Sequence, residues 1–429
     1  MERKLRNYIV YIIPVLVLIL AAAAGCGAGS EAASIGSESS SSARQSDRQV
    51  SAAEPAEWTL LIYMAADNDL ETAAWQDLQK LETIGSNEKV NVVVQWDNKG
   101  QYGNKGTKRY YIRKNPNPKV GTVASPVEED LGETDSSNPD ELVNFLTWGM
   151  KKYPAKKYGV ILWNHGSGWR SPSPDSQNGL KGICFDETAN DNMTISELTD
   201  AFQSVRNIEN KKIEFIGMDA CLMGMTEVAY NLRDYSNYLT FCESSIYGWP
   251  YQYILEDLQA NPSMDGKDLC GITVARFRQY WLEKGDKFMA SISAIDLGKI
   301  DLLATSLDQF AASALENSDE LKTVLGKTAR ETESIDEVYS DFKDLNLFMQ
   351  NIITVSSNEA INAKARQVKD ALKQTVIFET HGESFSPYTA GLTIWLPDKT
   401  KYSEFEDSYS LLSLSRNGLW DEFLDQIIN

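Results

Sequence analysis

Two histidines and five cysteines are all that the 429 residues offer for imidazole and thiol chemistry. One of each follows an apolar run. Tyr158 to Trp163 (YGVILW) leads into Asn164-His165-Gly166-Ser167-Gly168-Trp169, and Ile213 to Met218 (IEFIGM) leads into Asp219-Ala220-Cys221. Both runs read as buried strands, and in open parallel sheets functional groups collect at the carboxyl ends of strands. A thiol there is a candidate nucleophile. Cys221 is expected to sit where the strand gives way to a helix starting near Leu222, so that unsatisfied N–H groups and the helix dipole favour the thiolate. An imidazole on a neighbouring strand end can stabilise that thiolate and deliver a proton to a leaving amine. Gly166 and Gly168 let the backbone approach a substrate closely, with N–H groups available to a developing oxyanion. Taken singly, Cys221 also reads as a small buried hydrophobe and His165 as a loop residue.

The elements that must hold these residues alternate. Trp58 to Ala65, Lys89 to Trp96, Arg109 to Arg113, Tyr158 to Trp163, Ile213 to Met218 and Tyr238 to Phe241 are short and rich in apolar residues, as strands buried on both faces are. Between them, Leu70 to Ile84, Pro139 to Lys152 (capped by Asn138) and Thr194 to Arg206 read as helices. The last opens on a capping box, Thr194 with Glu197 three later. A helix through Leu232 follows Cys221. The pattern predicts an α/β fold, a mostly parallel central sheet with helices on both faces. Further strands are expected at Ser291 to Ile295, Val376 to Glu379 and Gly391 to Leu396.

The N-terminus reads as an address. Arg3, Lys4 and Arg6 precede an apolar run from Tyr8 to Ala24, the order of a secretory signal peptide. Ala23-Ala24-Gly25-Cys26 resembles a bacterial lipobox, which makes Cys26 the expected lipidation site; a plain signal peptide or an uncleaved anchor helix are the alternatives. Residues 27 to 56, rich in Ser, Ala, Glu and Gly, read as a flexible tether. The expected division is a signal peptide at 1–25, lipidated Cys and tether at 26–56, a catalytic core at 57–260 and a C-terminal α/β portion at 261–429 packed on it. The body would stand on the extracellular face of a bacterial membrane.

Sixty-one acidic against 41 basic side chains give a formal charge of -20. Such a surface repels phosphate backbones, which argues against nucleic-acid binding, and attracts cationic peptides. The cysteine spacing shows neither a zinc pattern nor a disulfide framework.

The order His-Gly after one strand and Asp-Ala-Cys after a later one resembles the caspase-like clan of cysteine peptidases. Within it the chain resembles the clostripain family, from Trp58 to Leu424. The likeness includes Met64-Ala65-Ala66-Asp67-Asn68-Asp69-Leu70, Phe185 to Leu198, Tyr247-Gly248-Trp249-Pro250-Tyr251 and Gly391 to Pro397. It implies a caspase-like sandwich and an endopeptidase with Cys221 as nucleophile, His165 as general acid, and an oxyanion hole from the backbone of Gly166 and Cys221. Chemistry would need no metal. The resemblance further implies cleavage after Arg or Lys, with Asp219 as pocket acid. The loop that brings a second acid looks shortened here and offers Glu243. It also implies activation by self-cleavage between the two motifs, at Lys181 before Gly182, with Arg170 as runner-up.

Three other features carry bland readings: His381 as a surface loop residue, Cys184 and Cys242 as core. The acids Asp186, Glu187 and Asp191 could bind calcium as a structural or activating ion, or form a solvated loop. The rival to an enzyme is a surface lipoprotein that binds extracellular peptide or glycan, or an inactive relative.

Overall fold

The computed structural model describes residues 54–101, 105–119, 121–170, 182–246, 248–285 and 290–428. Cys26 and Lys181 lie outside the described residues, as do the leader and nearly all of the tether. Among the described residues no helix is long and apolar enough to cross a membrane.

The strands are β1 Ala56–Ala66, β2 Val90–Asn98, β3 Thr107–Tyr111, β4 Val127–Gly132, β5 Ala155–Trp163, β6 Ile183–Asp186, β7 Asp191–Met193, β8 Ile213–Asp219, β9 Ser236–Phe241, β10 Ser291–Asp296, β11 Phe342–Asp344, β12 Val376–His381 and β13 Thr393–Trp395. Nine of them form one sheet in the order β12-β10-β9-β8-β5-β1-β2-β3-β4. The middle five, β2-β1-β5-β8-β9, are parallel, and each edge ends in two antiparallel strands. β10 and β12 come from beyond residue 260, so the sheet runs through the division expected there. Residues Glu54–Asn429 are one compact unit. The late strand expected at Gly391 to Leu396 is instead β13, paired with β11 in a small separate sheet.

Continuous apolar strands follow from burial on both faces. Along β1, Leu61, Tyr63 and Ala65 pack into one core and Trp58, Leu60, Ile62 and Met64 into the other. The first core is closed by α2 (Pro139–Lys152), α3 (Ile195–Glu209) and α4 (Thr226–Leu232), the second by α1 (Glu71–Ile84), α5 (Tyr251–Ala260) and α6 (Gly266–Glu283). Local chemistry sets the helix starts. Asn138 accepts from the Asp140 N–H ahead of Pro139, and the capping box of Thr194 and Glu197 is formed in both directions.

The sheet reverses its order of connection between β1 and β5. β1 leads to β2 on one side, and the chain then crosses back to β5 on the other. Strand ends splay apart at such a point and leave a crevice.

Candidate active site

β5 and β8 are adjacent and parallel, and their last residues, Trp163 and Asp219, are register partners. His165 and Cys221 each lie two residues further on. Both emerge at the same level, side by side, and line one cleft of about 400 Å³ together with Asp77, Lys80, Asp219 and Trp281. The sequence pattern puts each residue after a strand end, and the register of β5 with β8 brings the two ends together.

His165 is anchored by its neighbours. The Asn164 side chain donates to the carbonyls of Ala65 and Phe185 and accepts from the Phe185 N–H at 3.0 Å, tying the ends of β1, β5 and β6 together. Asn68 donates to Phe185 O at 2.8 Å and to Ala65 O at 3.2 Å. The ring Nε2 of His165 lies 2.7 Å from Oδ1 of Asp69, a residue three-quarters exposed. In that setting the pair contributes at most about 1 kcal/mol. Gly166 is required by contact: a Cβ there would stand 2.3 Å from the carbonyl oxygen of Cys221.

The helix after Cys221 starts later than expected. α4 begins at Thr226, and between them Leu222 takes a left-handed conformation (φ 63°). The thiol therefore gains nothing from a helix N-terminus. Burial pushes its pKa up, opposed by the Ile246 N–H that donates to Sγ at 3.3 Å. The peptide after Cys221 is pinned to the segment after β9 by Leu222 N–H to Ser244 O (3.1 Å) and Gly224 N–H to Cys242 O (2.7 Å). Hydrogen bonds to the next loop take the place of the expected helix start.

Asp219 forms part of the cleft floor. Its Oδ2 accepts from the Trp249 N–H at 3.0 Å and the Tyr251 hydroxyl at 2.8 Å. Burial, then the charge of Asp77, raise its pKa to about 7. Glu243 does not join it. That side chain is fully buried elsewhere, accepting from the Ser291 hydroxyl at 2.9 Å and facing Asp344, and burial followed by the Asp344 charge hold its carboxyl well above the usual range. β9 ends at Phe241, and the residues after it are held to Ser291 of β10, whose N–H donates to the Ser244 hydroxyl and whose hydroxyl donates to Glu243.

The second acid in the cleft is Asp77 of α1, which sequence reasoning missed. Its Oδ2 accepts from the Trp163 indole at 2.9 Å and its Oδ1 pairs with Lys80 at 2.5 Å. The signal was available in the helix pattern. Asp77 is an acid within the inward arc of Ala74, Trp75, Leu78 and Leu81.

The remaining candidates fall away from the cleft. Cys184, Cys242 and Cys270 are free and buried, and burial lifts all three thiols. His381 ends β12 at the sheet edge, its Nδ1 2.5 Å from Glu379. Arg170 is buried, 2.7 Å from Asp341 and stacked near Tyr339, Phe342 and Phe405. Asp186, Glu187 and Asp191 do not converge: Asp186 is spent on Ser136 and Ala189, Glu187 pairs with Lys99, and Asp191 is exposed.

The sequence model of the clostripain family matches residues 62–426. The chain belongs to the clostripain family. Clostripain of Hathewaya histolytica is 28% identical over 200 residues, which is 41% of this chain and 36% of that protein. The chain thus spans about a third of the length of the curated relative it matches. Among solved structures, an inactive zymogen C11 protease from Parabacteroides distasonis is similar with a TM-score of 0.64 and 21% identity, covering 85% of this chain and 98% of that one. A secreted C11 cysteine protease from Bacteroides thetaiotaomicron, solved with an irreversible peptide inhibitor, has the same TM-score and identity over 87% and 99%. At that identity the likeness is one of fold, and the fold is the caspase-like one expected of a clostripain-family chain.

Proposed function

We propose that this chain is a cysteine endopeptidase that hydrolyses peptide bonds through Cys221 and His165, secreted and held at the bacterial membrane by a lipid on Cys26. The observation that carries the catalytic reading is the shared register of β5 and β8, which brings thiol and imidazole to one cleft over buried acids. In the reaction the Cys221 thiol passes its proton to His165 as Sγ attacks the substrate carbonyl carbon. The oxyanion receives the N–H groups of Gly166 and Cys221. His165 then protonates the leaving amine, and water hydrolyses the thioester, returning the proton to Sγ. No step calls for a metal.

A preference for Arg or Lys before the scissile bond follows from Asp219 at the floor, since a desolvated carboxylate favours a cation. Asp77 contributes less than its charge suggests, because Lys80 already neutralises it. Substrates are peptides or proteins, and the family membership together with the inhibitor-bound relative supports that class.

A peptidyl electrophile ending in Arg should label the wild-type chain at Cys221, and Cys221→Ala should not be labelled. A folded wild type that neither reacts nor cleaves any peptide in a fluorogenic library would favour the binding-lipoprotein reading. Metabolic labelling with a fatty-acid analogue should be lost in Cys26→Ser; unchanged labelling would remove the anchor.

A further inference from the structure

The cleft that holds Cys221 and His165 carries a cation of its own. Ala73, Gln76, Asp77 and Lys80 share one face of α1, at the three- and four-residue spacing of a helix, and all four line the cleft. Among the described residues that line it, Lys80 is the one Lys or Arg. Its Nζ lies 2.5 Å from Oδ1 of the buried Asp77, and its own side chain is 21% exposed. It also donates to the carbonyl of Trp249 at 3.4 Å, while the N–H of that same residue donates to Asp219 at 3.0 Å. The ammonium is thus bonded to one buried acid and linked to the other through Trp249. The Asp219 charge favours the Lys80 cation, and the Lys80 charge favours the Asp219 anion. On an exposed helix an Asp–Lys pair three residues apart changes little, but in a cleft with a buried partner each charge is weakly screened.

We propose that Lys80 is a specificity-determining residue, an internal cation that occupies Asp77 and so limits the charge a substrate's Arg or Lys meets to that of Asp219. Its role rests on the basic preference proposed for Asp219, whose strength it sets. A substrate cation and the Lys80 ammonium compete for the same two carboxylates. With Lys80 in place, one negative charge remains for the substrate. Without it, an incoming cation meets both acids. Without Asp77, the ammonium is left to Asp219, and the floor is neutral before a substrate arrives. The two halves of one ion pair therefore act on recognition in opposite directions, which a pair that only braced α1 would not do.

The test is equilibrium binding of benzamidine, a compact cation, to the Cys221→Ala chain at pH 8, read by calorimetric titration so that catalysis plays no part. Lys80→Met should tighten binding about ten-fold and Asp77→Asn should weaken it about ten-fold, the effect of one weakly screened charge. Lys80→Gln, which keeps a polar end, should act as Lys80→Met does. The double variant, with Asp219 alone, should return to within about three-fold of the parent. In the chain with its thiol, Lys80→Met should lower KM for a substrate with Arg before the scissile bond and leave KM for a neutral one unchanged. Unchanged or weaker benzamidine binding in both Lys80 variants would overturn the role of Lys80 while the basic preference stands, as would tighter binding in Asp77→Asn. A parent chain that binds no benzamidine would overturn the basic preference itself, and the role of Lys80 with it.

Discussion

Under the proposed specificity, the ionisation state of one buried acid sets what the cleft recognises. Asp219 titrates near 7 because burial and the neighbouring Asp77 disfavour its charge more than Tyr251 and Trp249 favour it. A raised acid keeps its proton to higher pH, so the floor is mostly neutral at pH 6 and mostly anionic at pH 8. The ratio of kcat/KM for a substrate with Arg before the scissile bond to that for a neutral one should therefore rise about ten-fold between those pH values. Taking the ratio cancels the titration of Cys221 and His165, which both substrates share. Asp219→Asn should flatten the ratio at a low level. A wild-type ratio independent of pH would assign Asp219 to structure alone.

Two loops, one after β5 and one after β8, interlock where His165 and Cys221 line the cleft. The contact is backbone against backbone: the Cα of Gly166 faces the carbonyl of Cys221 with no room for a methyl group. Gly166→Ala must push the loops apart by on the order of 1 Å, a displacement that costs about 100-fold in rate when it falls between catalytic groups. The expected result is that loss in kcat/KM with an unchanged far-ultraviolet circular dichroism spectrum. Activity within three-fold of wild type would mean that the two loops adjust independently. The Asn164 and Asn68 side chains serve the same end from below, by fixing the ends of β1, β5 and β6 to each other.

Across the whole molecule, the segment beyond residue 260 clamps the stretches that follow His165 and Cys221. Thr393 donates to Gly224 O at 2.9 Å and Trp395 to Glu227 at 2.9 Å, while Asp341 gathers Arg170, Lys401 and the Trp395 indole. This burial removes Arg170 as a cleavage site and leaves Lys181 as the candidate for self-processing. The described ends of that interval are held together, with Gly182 N–H donating to Arg170 O at 3.2 Å and to the Ser167 hydroxyl at 2.7 Å. A cut after Lys181 would place β5 and β8 on different fragments that remain neighbours in one sheet. Purified enzyme should then run as one particle in native buffer and as two fragments under denaturing conditions, the second beginning at Gly182. Cys221→Ala should stay whole. Full activity in a wholly uncut wild type would exclude processing from the mechanism.

Periodicity and caps are local, and they were legible in the sequence: the parallel strands, the Asn138 cap, the Thr194–Glu197 box, and the placement of His165 and Cys221 after two strand ends. Each depends on side chains a few residues apart and on burial of both sheet faces. Strand order is not local. Only the pairing of β5 with β8, in a register that aligns Trp163 with Asp219, made the two residues neighbours. The same holds for the acids. The helix pattern turned Asp77 inward, but only tertiary packing set it against Trp163 in the cleft and put Glu243 against Ser291 away from it. The late start of α4 has the same origin, since hydrogen bonds from Leu222 and Gly224 to the loop after β9 outweighed the helical preference of the residues after Cys221.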